Sequence, residues 1–470
     1  MCYLILNFYE MRYFFLVWLS LISIVSFAQV KDSIRIQGTF LNNSRYTNVM
    51  LMGFGSDQKI VKTGLIKDSS FNIALPLDIV PGVYRLIYSQ SESNGYIDLI
   101  VNGLEPFVAF ALDANQKETL VFKKSVSNTK WYDYLKTSTR SLLKIEMLSE
   151  VYKNYPDRED KIIATITSTI RKEKEVYNKH FQAFVKQNAT TWQGDMVANK
   201  PYYFADLNEL YVLQEYERRN QYWDKVNTSS ERLLNSPLYT DHILNYLRYY
   251  MNPQMHFSEE EVELGFKKSS DTIMTKFGKN IETKKFALQY LTKGFKEIGQ
   301  EKVLQYIDEK YADVARQCQD DTYNEAFEKR LAAYELLKPG MKAPDFDWYN
   351  KDGVVKNLKD IDSNKILIVF WASWCSHCQE SMPRVNEFAV NNPDTKVLAI
   401  SLDDDQEAFK NSVKNFPNIL HYCDFKKWNS DPVKKYNIVA TPSFFLLDDY
   451  RRIVDKYSSF EGVQDGMKKK

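Results

Sequence analysis

The sequence predicts an α+β chain in three parts: an N-terminal antiparallel β-sandwich, a central α-helical domain and a C-terminal α/β domain. Three observations carry this. Short runs of alternating polarity, separated by turn dipeptides, fill the region before residue 125. Apolar residues then recur every three or four positions through a long Lys/Glu-rich stretch. Finally, wholly apolar short runs alternate with amphipathic ones, the pattern of a sheet covered on both faces. A length of 470 residues suits roughly three domains. With 44% hydrophobic and 26% charged residues, the composition excludes collagen-like, low-complexity and wholly disordered chains. Lys and Arg number 62 against 61 Asp and Glu, so nothing in the charge favours a nucleic-acid partner, and none is expected.

Tyr13 to Ala28 form an apolar run behind Arg12, ending in the small-x-small exit Ser26-Phe27-Ala28. A basic flank, a short apolar core and that exit describe a secretory signal peptide over residues 1–28, with Met11 an alternative start. An uncleaved anchor is the weaker reading, because the run falls short of the ~20 residues that span a bilayer. No cysteine follows the run, which argues against a lipidated product. The mature chain is therefore expected to be exported, periplasmic and soluble. Thiols tend to be oxidised there. Cys2 would leave with the leader; Cys318, Cys375, Cys378 and Cys423 remain.

In residues 29–125, Ser33–Phe40 alternates apolar and polar as a half-buried strand does. Further strands are expected at Thr47–Phe54, Phe71–Leu75, Tyr84–Tyr88, Tyr96–Val101 and Thr119–Phe122, with turns at Pro81-Gly82 and Asn102-Gly103. No catalytic constellation stands out in this part. Residues 126–338 should be helices packed as a bundle or array. Ile162, Ile166, Ile170, Tyr177, Phe181 and Phe184 keep helical spacing, as do Val303, Ile307, Tyr311, Val314 and Cys318, then Tyr323, Phe327, Leu331 and Tyr334. The aromatics between Pro201 and Trp223 read as core rather than as an exposed partner-binding patch, and Cys318 as a buried thiol. Pro339-Gly340 opens residues 339–470. A hairpin is expected around Asn350–Gly353. Strands should follow at Ile366–Phe370, Lys396–Ser401, Ile419–Cys423, Ser443–Leu447 and Ile453–Lys456, with helices at Ser376–Val390 and Gln406–Asn415 and a short basic tail.

The chemistry lies in Trp374-Cys375-Ser376-His377-Cys378, between a buried strand and a helix. Cys375 would sit at the helix N-terminus, where unpaired N–H groups and the dipole favour a thiolate. Spacing of three residues brings Cys378 to the same side of the first turn, so the sulfurs can bond. One accessible low-pKa thiolate beside a shielded partner is what thiol–disulfide exchange requires. His377 would add positive charge beside the pair.

Residue by residue, this part resembles the thioredoxin fold, and most closely the exported bacterial thiol–disulfide oxidoreductases of the TlpA/ResA type. The matching stretches are Gly340-Met341-Lys342-Ala343-Pro344-Asp345-Phe346, Phe370-Trp371-Ala372-Ser373-Trp374-Cys375, Met382-Pro383 and Ala440-Thr441-Pro442 running on to Asp448. The resemblance implies a cis Pro442 against the dithiol, shaping a groove for the substrate cysteine, with Thr441 offering strand-like hydrogen bonds and Trp374 on the exchange surface. It also implies that Cys375 attacks as nucleophile and Cys378 resolves, without a cofactor or a metal. The substrate would be a disulfide-bearing protein and the electron source a membrane-linked thiol donor; the reductase direction fits better than oxidase or isomerase. Two departures stand out. Many thioredoxins carry Asp where Val369 stands, and TlpA/ResA-type relatives often carry Glu where Ser381 stands. Glu380 is displaced by one residue, about 100° around the helix, and is a weak candidate for the base that deprotonates Cys378.

Three rival readings follow from the residues. Cys375, Cys378, His421 and Cys423 have the makings of a four-ligand zinc site. Peroxidase chemistry on the same fold would need Thr where Ala372 stands. A partner-binding protein with an accessory redox module is the third. Oligomeric state is not legible in the sequence.

Overall fold

The structure, a computed structural model, describes residues 33–468 apart from 43–45, 57–58, 90–94, 114–115 and 350–352. The expected leader at 1–28 lies outside the described residues. The chain divides into two compact units, the first ending at His242 and the second starting at Ile243.

Among the described residues the first unit opens with eight strands: β1 (Ile34–Leu41), β2 (Asn48–Gly53), β3 (Lys59–Leu65), β4 (Ser70–Leu75), β5 (Gly82–Ile87), β6 (Tyr96–Val101), β7 (Phe107–Asp113) and β8 (Gln116–Lys124). They form two four-stranded sheets, ordered β4-β1-β7-β8 and β3-β2-β5-β6. Alternation explains the sandwich. Ile34, Ile36 and Phe40 of β1, Val49 and Leu51 of β2, and Phe71, Ile73 and Leu75 of β4 all turn into one buried core. Gly38 faces the same core, where a Cβ would overlap the Phe71 ring.

The expectation of a purely antiparallel sandwich needs one correction: β1 and β7 run parallel, with Ile36 opposite Val108. The chain leaves the first sheet after β4, builds β5 and β6 in the second, and returns beside β1 in the same direction. A long crossover of this kind permits parallel pairing, whereas a hairpin does not. Two strands were also not foreseen. In β3 every residue but Gly64 is exposed, so no apolar alternation marks it; β7 is a nearly unbroken apolar run without alternation.

Helices α1 (Val126–Asn154), α2 (Lys161–Gln187), α3 (Trp192–Ala198) and α4 (Tyr211–Asn220) follow, with α5 (Leu238–Leu247) spanning the change of unit. The α1 start is tied to β6 through Asn128, whose carboxamide donates to Ile100 O and accepts from Ile100 N–H, each at 2.8 Å. Ile166, Ile170 and Tyr177 of α2 are buried as their spacing predicts, but Ile162 is exposed on the first turn. The aromatic stretch from 201 to 223 is mixed: Trp223 is core, while Tyr202 is 38% exposed.

His242 is buried, with Nε2 at 2.6 Å from Asn199 O and Nδ1 at 3.0 Å from the Tyr222 hydroxyl. Burial pulls its imidazole down to about 4, against the upward pull of the Asn199 contact and with help from Lys200. Since the folded pKa lies below the unfolded value, the unfolded chain takes up the proton first. The stabilisation is therefore whole above about pH 6.5 and is lost as pH falls towards 4, on the order of 3 kcal/mol in all. Urea unfolding should show a steeper loss between pH 7 and 5 in wild type than in His242→Gln. Equal slopes would contradict this.

The second unit continues with α6 (Glu259–Lys276), α7 (Ile281–Glu297), α8 (Glu301–Lys310), α9 (Ala312–Ala315) and α10 (Asp321–Leu336). Val303, Ile307, Val314, Cys318 and Phe327 lie in the core, as their spacing predicts. Then come β9 (Trp348–Tyr349), β10 (Val355–Lys356), β11 (Lys365–Trp371), α11 (Ser376–Asn391), β12 (Thr395–Ser401), α12 (Gln406–Val413), β13 (Leu420–Tyr422), α13 (Asp431–Lys435), β14 (Ser443–Leu447), β15 (Ile453–Tyr457) and α14 (Phe460–Lys468). β9 and β10 pair as the expected hairpin, whose turn at 350–352 lies outside the described residues. The expected basic tail is instead the helix α14, because Phe460 and Val463 lie one turn apart and bury against the domain core.

The main sheet runs β13-β12-β11-β14-β15. β13 and β12 lie parallel to β11, while β14 and β15 close it antiparallel. Six of seven residues in β11 and all of β14 are buried, as covered faces require. Among the described residues no helix is long and apolar enough to cross a membrane.

Candidate active site

Strand β11 fixes where the dithiol begins. Its last residue, Trp371, pairs with Ser401, and its carbonyl still accepts the Leu402 N–H at 2.8 Å. The chain then turns sharply, with the Cys375 N–H donating to Ala372 O at 3.2 Å. Cys375 is the N-cap of α11, with extended backbone at φ −87° and ψ 113°. Its sulfur takes the place of a capping oxygen and accepts the Cys378 N–H at 3.2 Å. The dipole and free N–H groups of α11 thus converge on Cys375 Sγ.

Cys375 and Cys378 are joined as a disulfide, with Cα atoms 5.2 Å apart. The two residues differ in access: Cys375 is 7% exposed and Cys378 is 0% exposed. Trp374, immediately before the pair, is 52% exposed. His377 and Glu380 are exposed on the first turns of α11, and the Ser381 hydroxyl donates to His377 O at 2.8 Å.

The second wall comes from the antiparallel β11–β14 pairing. Phe370 lies opposite Ser443, which brings the residues just before β14 alongside the dithiol turn. The Thr441–Pro442 peptide is cis, and Thr441 O lies 3.5 Å from Cys375 Sγ. The Ser443 hydroxyl donates to Ala440 O at 2.8 Å and closes that turn. The Cys375–Cys378 pair and the Thr441–Pro442 pair, 66 residues apart in sequence from Cys375 to Thr441, therefore meet at one end of the sheet.

The expected departures also have a structural outcome. Val369 is fully buried among apolar neighbours in the middle of β11, so no carboxylate stands at that position. A different one, Asp403, lies beneath the dithiol turn and is 1% exposed. It accepts the Ser373 N–H at 3.1 Å, the Ser373 hydroxyl at 2.6 Å and the Ser401 hydroxyl at 2.5 Å. Nothing in the sequence singled it out, because Asp403 is one of three consecutive aspartates, Asp403-Asp404-Asp405, and its partner Ser373 lies 30 residues away in the chain.

The zinc quartet does not assemble. His421 Nε2 donates to Phe416 O at 2.9 Å, and burial lowers its pKa. The Cys423 thiol donates to Asp403 O at 3.4 Å, and burial raises its pKa. Among the described residues no group of three His, Cys, Asp or Glu side chains is placed to hold a metal ion.

A five-stranded sheet with a Cys-x-x-Cys pair at the N-terminus of the helix after its central strand is the architecture of a thioredoxin-like domain, and thiol–disulfide oxidoreductase is the activity that the sequence comparisons support. The family model and the sequence relatives agree. Residues 363–453 match the thioredoxin-like family model. The thiol-disulfide oxidoreductase ResA of Bacillus thuringiensis is 28% identical over 124 residues, covering 26% of this chain and 70% of that protein. The thioredoxin-like protein YneN of Bacillus subtilis is 28% identical over 125 residues, covering 25% of this chain and 71% of that one. A thiol-disulfide oxidoreductase structure from Bacteroides fragilis is 28% identical and covers 27% of this chain and 98% of its own, with a TM-score of 0.25. A thioredoxin-like protein from Bacteroides caccae is 14% identical and covers 58% of this chain and 98% of its own, with a TM-score of 0.40.

Proposed function

We propose that this chain is an exported, periplasmic reductase of protein disulfides in which Cys375 is the nucleophile and Cys378 the resolving thiol. The observation that carries the reading is the asymmetry of the pair: a cysteine at a helix N-cap that keeps 7% of its surface exposed, bonded to one that is wholly buried. In the reduced protein, the Cys375 thiolate attacks a substrate disulfide and releases one substrate thiolate, which takes up a proton. The Cys378 thiol loses its proton to water or to Glu380 and attacks Cys375 Sγ. That step breaks the mixed disulfide, frees the second substrate thiol and restores the Cys375–Cys378 bond. Two electrons pass from the dithiol to the substrate, and a membrane-linked thiol donor returns them. Pro442 and Thr441 line the groove that receives the substrate cysteine, and Trp374 meets the residues beside it.

The leader at 1–28 carries the export reading. In this reading residues 29–125 and 126–338 are domains separate from the redox domain at 339–470. The experiment is reduction of an oxidised model protein such as insulin by the purified full chain, with a chemical thiol as the electron source. Acceleration well above the thiol alone is the expected result. A rate equal to the background would contradict the proposal.

A further inference from the structure

Ser373, the second of the two residues between β11 and the Trp374-Cys375 pair, is held at every polar atom. The Ser373 N–H donates to both Asp403 carboxylate oxygens, at 3.2 and 3.1 Å, and its hydroxyl donates to Oδ1 at 2.6 Å. Its carbonyl accepts from the Gln379 side chain at 2.7 Å, one turn into α11. Asp403 is held in turn: its Oδ2 accepts the Ser401 hydroxyl at 2.5 Å, and its own N–H donates back to that hydroxyl oxygen at 3.0 Å. The Cys423 thiol donates to its carbonyl. This carboxylate is buried, and each bond it receives comes from a neutral hydroxyl or amide.

Taking an ionised carboxylate out of water is costly unless hydrogen bonds replace the lost hydration, and those bonds are stronger than neutral ones. A chain that needed only to fill this space would do so with an apolar residue. Here the carboxylate joins the end of β12 to the turn between β11 and α11, across 30 residues of sequence. It acts on the backbone two positions before Cys375.

We propose that Asp403 is a positioning residue for the dithiol: by clamping the Ser373 N–H and hydroxyl it holds Cys375 at the N-cap of α11, where the Cys378 N–H and the helix terminus stabilise the thiolate. This rests on the reading of Cys375 as the attacking thiol. With the clamp removed, the turn loosens, Cys375 Sγ drifts from the N–H groups, and the thiolate loses stabilisation. The Cys375 pKa should rise. A carboxylate that acted only through its charge would give the opposite sign, because deleting a negative charge near a thiol lowers its pKa.

The test is the pH dependence of iodoacetamide alkylation at Cys375 in the reduced full-length protein, with each site resolved by mass spectrometry. In Asp403→Ala the apparent pKa of Cys375 should rise by about half to one unit, the scale of a helix-terminus interaction. Asp403→Asn keeps the shape and can still accept the Ser373 N–H while the serine hydroxyls turn, so it should recover most of the wild-type profile. Should Asp403→Ala fail to fold, Ser373→Ala removes only the 2.6 Å bond and should move the pKa in the same direction by less. An unchanged or lowered pKa in Asp403→Ala, or in Ser373→Ala where that variant stands in for it, would overturn the proposal. A wild-type Cys375 that shows no titrating reactivity would instead overturn the nucleophile assignment itself.

Discussion

Cys375→Ser is expected to abolish disulfide exchange, lowering insulin reduction by at least about a thousand-fold to the uncatalysed rate. The serine hydroxyl sits at the same N-cap, but the helix terminus cannot bring its pKa near neutrality as it can a thiol's. Cys378→Ser should behave differently. Its Cys375 still attacks, but the buried partner that would break the mixed disulfide is gone, so a covalent complex with the substrate accumulates. Non-reducing electrophoresis separates the two outcomes: no adduct for Cys375→Ser, and an adduct cleaved by dithiothreitol for Cys378→Ser. An adduct in both variants, or turnover without Cys375, would assign the attack to another thiol. The same pair of variants weighs the reading in which the redox module is accessory, since partner binding would survive the loss of Cys375.

The largest stability effect is expected at Arg330 in the second unit. Its guanidinium grips Asp308 with two bonds, Nε to Oδ2 at 2.7 Å and Nη2 to Oδ1 at 2.9 Å, and the Tyr334 hydroxyl adds a third at 3.0 Å. The Asp308 side chain is 1% exposed and that of Arg330 9%. Arg330→Met would leave a buried carboxylate with one neutral donor, at a cost of about 3–5 kcal/mol in urea unfolding. Replacing both, as Asp308→Leu with Arg330→Met, removes the uncompensated charge and should recover much of that loss. A single variant within about 1 kcal/mol of wild type would show that water reaches Asp308.

These effects were unequally legible in the sequence. The dithiol was readable because its chemistry is local: two cysteines three apart, a strand before and a helix after. The strands of the main sheet were readable because burial on both faces turns them into unbroken apolar runs, and β14 falls where it was expected, at Ser443–Leu447. What escaped depends on contacts between distant residues. Asp403 reaches Ser373 only because β11 and β12 pair with Trp371 opposite Ser401. Arg330, at an apolar-looking face of its helix, has a partner 22 residues away. Strand β3 escaped for another reason: an exposed edge strand of its sheet buries nothing, so Lys59, Ile60, Val61 and Lys62 carry no pattern. The parallel β1–β7 pair escaped because direction follows from the path of the whole chain.

The central claim is that Cys375 and Cys378 form a cycling redox pair that gives electrons to substrates. Its most direct test is the equilibrium midpoint of that pair, titrated against dithiothreitol or glutathione buffers and read by alkylation and mass spectrometry. The account predicts a two-electron transition with a midpoint near or below about −250 mV, as a reductase requires. A midpoint above about −200 mV would reverse the direction to disulfide donation or isomerisation and implicate His377. A pair that does not cycle between dithiol and disulfide would contradict the account altogether.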